Sequence, residues 1–387
     1  MSNQLTAFAR ADGRWGLRNH VLILPLHSAL SATARKIADE SDGAVAVSHD
    51  WSGEVDGDFD RIIKTFSGFA ANPNNYATVF ITIGTPGELL IIETAKKLGA
   101  NKAEVLNVAE LGSMGKIADA GLKIANSLLK EAKSRERVSA PWSALALGQE
   151  CGGSDALSGI TANPALGVAS DRLVELGSAS VLGETTEILG AEHLLAARAI
   201  TPEIGAQIIE TVARYERSIN YEGIDMRGAQ PSRGNIEGGL TTLEEKSLGA
   251  AKKAGNAQFS GVLEYADQVP KSGLYFMDTP GHDTEQLTGF AAAGINIVVF
   301  TTGRGTPTGS AIMPTIKVAT NTTMATAIPD LIDLNAGTIA EGVKTLSEVG
   351  GELFDLILAV ANGQITKAER GLHHEFSLSR MYNTVIK

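Results

Sequence analysis

Four short apolar runs stand in the first third of the chain: Val21-Leu22-Ile23-Leu24, Ala44-Val45-Ala46-Val47, Thr78-Val79-Phe80-Ile81-Thr82-Ile83 and Val105-Leu106-Asn107-Val108. Each suits a buried strand and is too short for a buried helix. The segments around them, 28–39, 59–69, 86–98 and 116–133, carry helical patterning, and Pro86 suits a first helical turn. Unbroken apolar strands alternating with helices build a parallel sheet covered on both faces. After the polar break Ser134-Arg135-Glu136-Arg137, the run Leu145-Ala146-Leu147 predicts the next strand.

The remaining chain repeats the alternation. Residues 164–220 are expected to be mostly helical, with a short strand near Ser180-Val181-Leu182. Residues 221–240 show no periodic core signal, and loops this long are usually functional or disordered. A second set follows: helix 241–254, strand 273–277, helix 283–293 and strand 295–300. The C-terminal region is expected to be helical, ending at Gly371-Leu372-His373-His374-Glu375-Phe376. At 387 residues the chain exceeds one ordinary core. We therefore expect an α/β fold of two Rossmann-like parallel-sheet domains with helices on both faces. Residues 1–138 would form the first and 139–387 the second.

Charge and composition narrow the function. A formal net charge of −11 argues against a nucleic-acid partner. A single cysteine excludes an intrachain disulfide framework and fits a reducing compartment. No apolar run approaches the roughly 20 residues a membrane helix needs, and Met1-Ser2-Asn3-Gln4-Leu5-Thr6 has no apolar signal core. A cytoplasmic protein is the expectation.

Three Gly-rich polar turns follow expected strands, where α/β proteins place their chemistry. The first, 150–164, holds Glu150, Cys151, Ser154, Asp155, Ser158 and Asn163 among three glycines. Cys151 could be a metal-ligating thiolate, a base or an inert small hydrophobe. Glu150 and Asp155 could bind a hard cation or move protons. The second, Gly183-Glu184-Thr185-Thr186-Glu187, sets two carboxylates three apart, on one face of a helix. Such a pair can hold a divalent metal, split acid and base roles, or simply favour a helix start. The third, Phe300-Thr301-Thr302-Gly303-Arg304-Gly305-Thr306, offers a planar guanidinium suited to a carboxylate. It lacks the Gly-Lys-Ser/Thr ending of a phosphate loop. His49 follows the second strand, and His282-Asp283 is a similar candidate.

These motifs together resemble the catalytic part of the altronate and galactarate dehydratase family. The resemblance runs through Asp12-Gly13-Arg14-Trp15-Gly16-Leu17-Arg18-Asn19, Cys151-Gly152-Gly153-Ser154-Asp155 and Ser158 to Pro164. It continues through Gly234-Asn235, Gly238 to Lys246, Phe300 to Pro307 and Glu375-Phe376, nearly the whole chain. It implies a lyase that eliminates water from a sugar acid to give a 2-keto-3-deoxy acid, with a divalent metal, Fe(II) or Mn(II). A base removes the proton α to the carboxylate, a cation stabilises the enediolate, and an acid assists the leaving hydroxyl.

On this resemblance the catalytic residues are His49, which matches a family histidine, with Asp155, Glu184 and Arg304. Substrate contacts fall to Arg18, Asn19, Ser154, Ser158, Asn163, Asn235, Lys246, Thr302 and Gly303. Metal ligands fall to Cys151, Glu150 and Glu187. Single-chain members carry a small N-terminal domain ahead of the Arg-Asn motif. Here a separate small subunit is expected to replace it, in a homo-oligomer acting on a small 2-hydroxy acid. Ser28, Ser52 and Thr85 stand near positions where family cysteines are expected. Both departures resemble the large subunit of sulfolactate sulfo-lyases, which expel sulfite instead of water. Arg18-Asn19-His20 and 183–193 lean that way too, whereas 300–307 leans toward the dehydratases. Dehydration is placed first, sulfite elimination second and non-catalytic sugar-acid binding third.

Overall fold

A computed structural model describes residues 4–52, 57–100, 102–221, 224–225 and 230–380. Strands β1 (Thr6–Ala9) and β2 (Trp15–Gly16) pair antiparallel near the start. Next come β3 (His20–Pro25), β4 (Val45–Ala46), β5 (Asn75–Thr82) and β6 (Ala103–Asn107), a four-stranded sheet in the order β4-β3-β5-β6, parallel throughout. Strand β7 (Val138–Ser139) returns to pair with β1.

Burial on both faces explains the unbroken apolar strands. Val21, Ile23, Val79 and Ile81 face helices Ser31–Glu40 and Met114–Lys133. Leu22, Leu24 and Phe80 face helices Phe59–Ala71 and Pro86–Lys97. The latter helix starts where Thr85 and Glu88 form a reciprocal capping box ahead of Pro86.

The second sheet takes β8 (Ala146–Gly152) and β9 (Ala179–Leu182). A two-stranded pair, β10 (Asn220–Tyr221) and β11 (Ile224–Asp225), stands apart. The sheet is completed by β12 (Phe259–Leu263), β13 (Gly273–Met277), β14 (Ile297–Thr302), β15 (Thr315–Ala319) and β16 (Leu334–Asn335). Its order is β12-β13-β9-β8-β14-β15-β16, again parallel throughout. From β8 the chain runs to β9 on one side, and β14 closes the other. The β8–β14 crevice is therefore a topological switch point, where such sheets bind ligands.

Residues alternate across this sheet. Leu147, Val299, Ile316 and Val318 pack on helices Ala162–Glu175 and Leu346–Ala361. Val298 and Phe300 join the core shared with the first sheet, under helix Asp283–Ala292. Among the described residues no helix is long and apolar enough to cross a membrane.

Several expectations change. Val108 opens a helical turn instead of ending a strand, because Asn107 caps it. Strand β8 runs on through Gly152, so Glu150 and Cys151 lie in a strand and the turn begins at Gly153. Residues 221–240 contain a helix, Arg233–Glu237, held by a Ser232–Asn235 capping box. Strands β12, β15 and β16 were not expected. Strand β12 is only half-buried and carries no apolar run, and Lys317 interrupts the apolar pattern of β15. The segment 371–380 is not helical.

Candidate functional site

The carboxyl end of β8 carries a buried charge cluster. Cys151, Glu184, Glu187, Lys246 and Lys253 are each less than a tenth exposed. Cys151 Sγ lies 2.9 Å from Glu187 Oε2 and 2.9 Å from Lys253 Nζ. Lys253 also donates to Glu184 Oε2, which accepts the Cys151 N–H at 3.1 Å. Lys246 Nζ lies 2.6 Å from Glu187 Oε1 and donates to Gln230 Oε1 at 2.7 Å and Asn235 Oδ1 at 3.2 Å.

Local structure explains the convergence. Glu184 and Glu187 bracket one 3₁₀ turn, Thr185–Glu187, whose period of three aligns their side chains. Glu184 itself sits at φ 63°, a left-handed conformation that costs a non-glycine residue about 1–3 kcal/mol. Its N–H donates to Thr279 Oγ1 at 2.6 Å, which pins the turn to the end of β13. Lys246 and Lys253 are seven apart, so they share a face of the helical segment Leu243–Ala254.

Burial and then Glu187 push the Glu184 carboxyl up to about 8. Burial acts the same way on Glu187, yet Lys246 and Lys253 outweigh it and hold that carboxyl below its usual range. Burial, with both carboxylates, pushes the Cys151 thiol well up. Lys253 stays charged because its acidic neighbours more than reverse the effect of burial.

The thiol and two carboxylates offer donor atoms within 4.8 Å of one another, and Glu184 Oε1 has no hydrogen-bond partner among the described residues. A soft sulfur with two hard oxygens fits a first-row divalent metal. Two ammonium groups already balance the two carboxylates, so the cluster is also charge-compensated on its own. Beside it a 240 Å³ pocket is lined by Ser154, Asp155, Ser158, Asn163 and Lys246.

The other expected residues fall into distinct places. Asp155 braces its turn: Oδ1 accepts from Ser158 Oγ at 2.9 Å, and Oδ2 from Thr320 Oγ1 at 2.8 Å and Asn321 Nδ2 at 3.0 Å. Gly303 packs so tightly on it that a Cβ would stand 2.5 Å from Asp155 Cγ. Asn163 bridges Thr301 Oγ1 at 2.6 Å and Gly249 O at 3.0 Å. Asn235 donates to Ser154 O at 3.1 Å, Ser154 Oγ lies 3.9 Å from Cys151 Sγ, and Thr302 Oγ1 accepts from Gly305 N at 3.0 Å. Arg304 is half exposed and pairs with Glu237 at 3.1 Å.

Glu150 points to the opposite face of β8 from Cys151, and both its oxygens are buried without a hydrogen-bond partner among the described residues. His49 lies at the edge of the first sheet. Its Nε2 donates to Pro25 O at 2.9 Å, Nδ1 accepts from Trp51 N at 3.2 Å, and its ring packs edge-on against Phe66. Arg18 pairs with Glu369 at 2.7 Å and donates to the carbonyls of Leu17, Val360 and Gln364. Asn19 ties Arg10 to Ala132 O. A 650 Å³ cleft lies at the amino end of the first sheet, lined by Arg10, Arg14, Tyr76, Lys102 and Arg135.

Lys253 and Lys317 escaped the sequence reading. A lysine is almost never fully buried unless paired. The available signal for Lys253 was its heptad spacing from Lys246 among small residues.

Residues 142–384 match the C-terminal domain of D-galactarate/altronate dehydratases. Residues 7–133 match the second domain of D-galactarate dehydratase/altronate hydrolase. The chain belongs to this family. Among curated relatives, the (2R)-sulfolactate sulfo-lyase subunit beta of Chromohalobacter salexigens is 34% identical over 380 residues, 97% of each chain. The galactarate dehydratase (L-threo-forming) of Escherichia coli is 39% identical over 328 residues, covering 82% of this chain and 62% of that protein. The altronate dehydratase of Bacillus subtilis is 32% identical over 384 residues, 96% of this chain and 76% of that protein.

Proposed function

We propose that the chain is the large catalytic subunit of a lyase that eliminates water from a sugar acid with a divalent metal, Fe(II) or Mn(II). The observation that carries this reading is the buried Cys151–Glu184–Glu187 cluster, with its two lysines, beside a polar pocket at the sheet's switch point. Family membership supports the lyase class. The fold is read as two Rossmann-like domains, 1–138 and 139–387, because each parallel sheet comes from its own segment.

Cys151 and Glu187 would hold the metal, with Glu184 beside them, and the metal would supply Lewis-acid stabilisation of negative charge when bound. Lys246, at the pocket wall, places an ammonium where the substrate carboxylate enters. Arg304 offers a second cation at the turn above. Glu184, through its unpartnered Oε1, takes the proton α to the carboxylate. Lys253, dry and charged, holds Cys151 and Glu184 in register. Asp155, Asn163, Thr302 and Gly303 shape the turn that carries Ser154 and Ser158.

A second reading, elimination of sulfite from a sulfonated 2-hydroxy acid, is favoured by one observation. The relative that matches from end to end is a sulfo-lyase subunit beta. That name also supports a separate small partner subunit. One experiment separates the readings. The chain, with and without its small partner, is given Fe(II) or Mn(II), a sugar-acid panel and sulfolactate. Keto-acid release without sulfite is expected. Sulfite release selects the second reading, and binding without turnover under either metal overturns both.

A further inference from the structure

Glu150, Phe300 and Lys317 stand in register on β8, β14 and β15. Neighbours in register point to the same face, here the one under helix Asp283–Ala292, opposite Cys151. The row is buried yet polar. Lys317 is fully buried, its Nζ has no hydrogen-bond partner among the described residues, and it sits 3.3 Å from the Phe300 ring centroid. Both Glu150 oxygens and Gln286 Oε1 are likewise unpartnered. Unsatisfied buried polar atoms are costly, so a row of them calls for a functional account.

Asp283 closes the row at the sheet's edge. Its Oδ2 accepts from Thr306 Oγ1 at 3.3 Å and lies 2.8 Å from where a Gly152 Cβ would stand. A side chain at 152 would displace this carboxylate or the Phe300 ring from the tip of β8. Asp283 is half-buried, and the next residue, Thr284, lines a 560 Å³ groove with Ser48, His374 and Glu375. Cys151 and Glu184 approach the same strand tip from the other side. The Glu184 carboxyl, on the N–H of Cys151, and the Asp283 carboxyl, beside Gly152, thus meet the same strand tip.

We propose that Asp283 is a further acid–base residue of the eliminating site, protonating the leaving group opposite Glu184, and that Lys317 is the buried positioning residue that sets its charge. This rests on the lyase reading above. The proton budget closes. Glu184 takes the α-proton, the electron pair expels the leaving group, and Asp283 gives that group its proton, so one hydroxyl leaves as water.

The surroundings suit such a role. Asp283 is faced by Lys317, Glu187 and His282 and also acts on the carboxyls of Glu150 and Glu184, and burial raises its own carboxyl. Lys317 is faced by Asp283, Glu150, Glu375 and Asp333, and burial lowers it to about 7. Burial acts against the charged form of both groups, and the opposite charge of each partly offsets it.

The test uses the full chain with its partner subunit and metal, as wild type, Asp283→Asn, Lys317→Met and Lys317→Arg. Asp283→Asn is expected to lower kcat by about 100-fold or more, with KM little changed and the circular dichroism of the parent. Lys317 lowers the Asp283 carboxyl, so Lys317→Met is expected to move the alkaline limb of the kcat profile to higher pH, and Lys317→Arg to restore it. The carboxyl infrared band of Asp283, followed against pH, is expected to shift the same way without substrate. Wild-type kcat in folded Asp283→Asn, or unshifted profiles and infrared titration in Lys317→Met, overturns the proposal and leaves the lyase reading standing. No turnover by wild type on any sugar acid or sulfolactate overturns that reading and the acid role together.

Discussion

The two sheets share one architecture and differ in how their carboxyl edges treat polar groups. At the first edge Glu88 is buried and fully used. Its Oε2 accepts from Thr82 Oγ1 at 2.6 Å and from the N–H groups of Ile83, Gly84 and Thr85 at 3.0–3.2 Å. His49 has both ring nitrogens committed to backbone. Unpartnered buried atoms in this half, on Ser31, Trp51 and Asn75, are neutral. At the second edge Glu150, Glu184 and Lys317 leave ionisable atoms buried and unpartnered. The same parallel sheet therefore yields an edge whose buried carboxylate is hydrogen-bonded in one case and, in the other, an edge with unpartnered ionisable atoms among the described residues, the one we propose to be reactive. The difference lies in buried ionisable atoms left without a hydrogen bond among the described residues, which a protein keeps only at a cost.

The strongest way to break this contrast is Lys253→Met. It removes the ammonium shared by Cys151 and Glu184, leaving buried acid without its counter-charge. A loss of about 3–5 kcal/mol is expected, read as a lower urea midpoint, with partial recovery when Glu184→Gln is added. An unchanged midpoint would mean that the cluster is not charge-coupled.

Lys317→Met should act in the opposite direction. The Lys317 amine is lowered to about 7 in the fold and ordinarily titrates near 10.5. Below pH 7 both folded and unfolded states hold the proton, and the fold bears the full penalty. As pH rises from 7 toward the ordinary value the unfolded state alone stays protonated, so stability climbs and the penalty fades. The variant is expected to exceed wild type at pH 6 by on the order of a few kcal/mol, with the gap shrinking by pH 9. Denaturation at both pH values measures it, and a pH-independent gap would refute the burial effect.

Glu88→Ala sharpens the other side of the comparison. It should cost about 1–3 kcal/mol while leaving turnover per folded molecule unchanged. His49→Asn should likewise keep activity within about tenfold. A loss approaching the roughly 100-fold worth of a general base would move chemistry onto the first edge. The smallest stability effect is expected of Arg304→Ala, under about 1 kcal/mol because its pair with Glu237 is half exposed. Any fall in turnover there reports on substrate, and an unchanged kcat/KM removes Arg304 from the site.

Much of the scaffold was legible. Apolar runs placed β3, β5 and β13 because strands buried on both faces need no polar residues. Strand β15 was not legible, since Lys317 breaks the apolar pattern of Thr315–Ala319, and the ring that accommodates it, Phe300, comes from the neighbouring strand. The helix Arg233–Glu237 is held by a capping box and by Lys246, contacts a periodicity search does not weigh. The site was partly legible. Cys151, Glu184 and Glu187 stood out as polar residues in Gly-rich turns. Asp155 stood out too, but the fold spends its oxygens on Ser158, Thr320 and Asn321.

By itself the chain's order of residues determined two parallel sheets and put Cys151 and Glu184 at a carboxyl edge, because hydrophobic periodicity and turn chemistry act over neighbouring residues. Only the tertiary structure decided which groups share a dry environment. Lys253 meets Cys151 from 102 residues away, and Glu150 turns from its neighbour Cys151 toward the face of Lys317. Coulomb energy and desolvation depend on distance and dielectric in space, and neither is written along the chain.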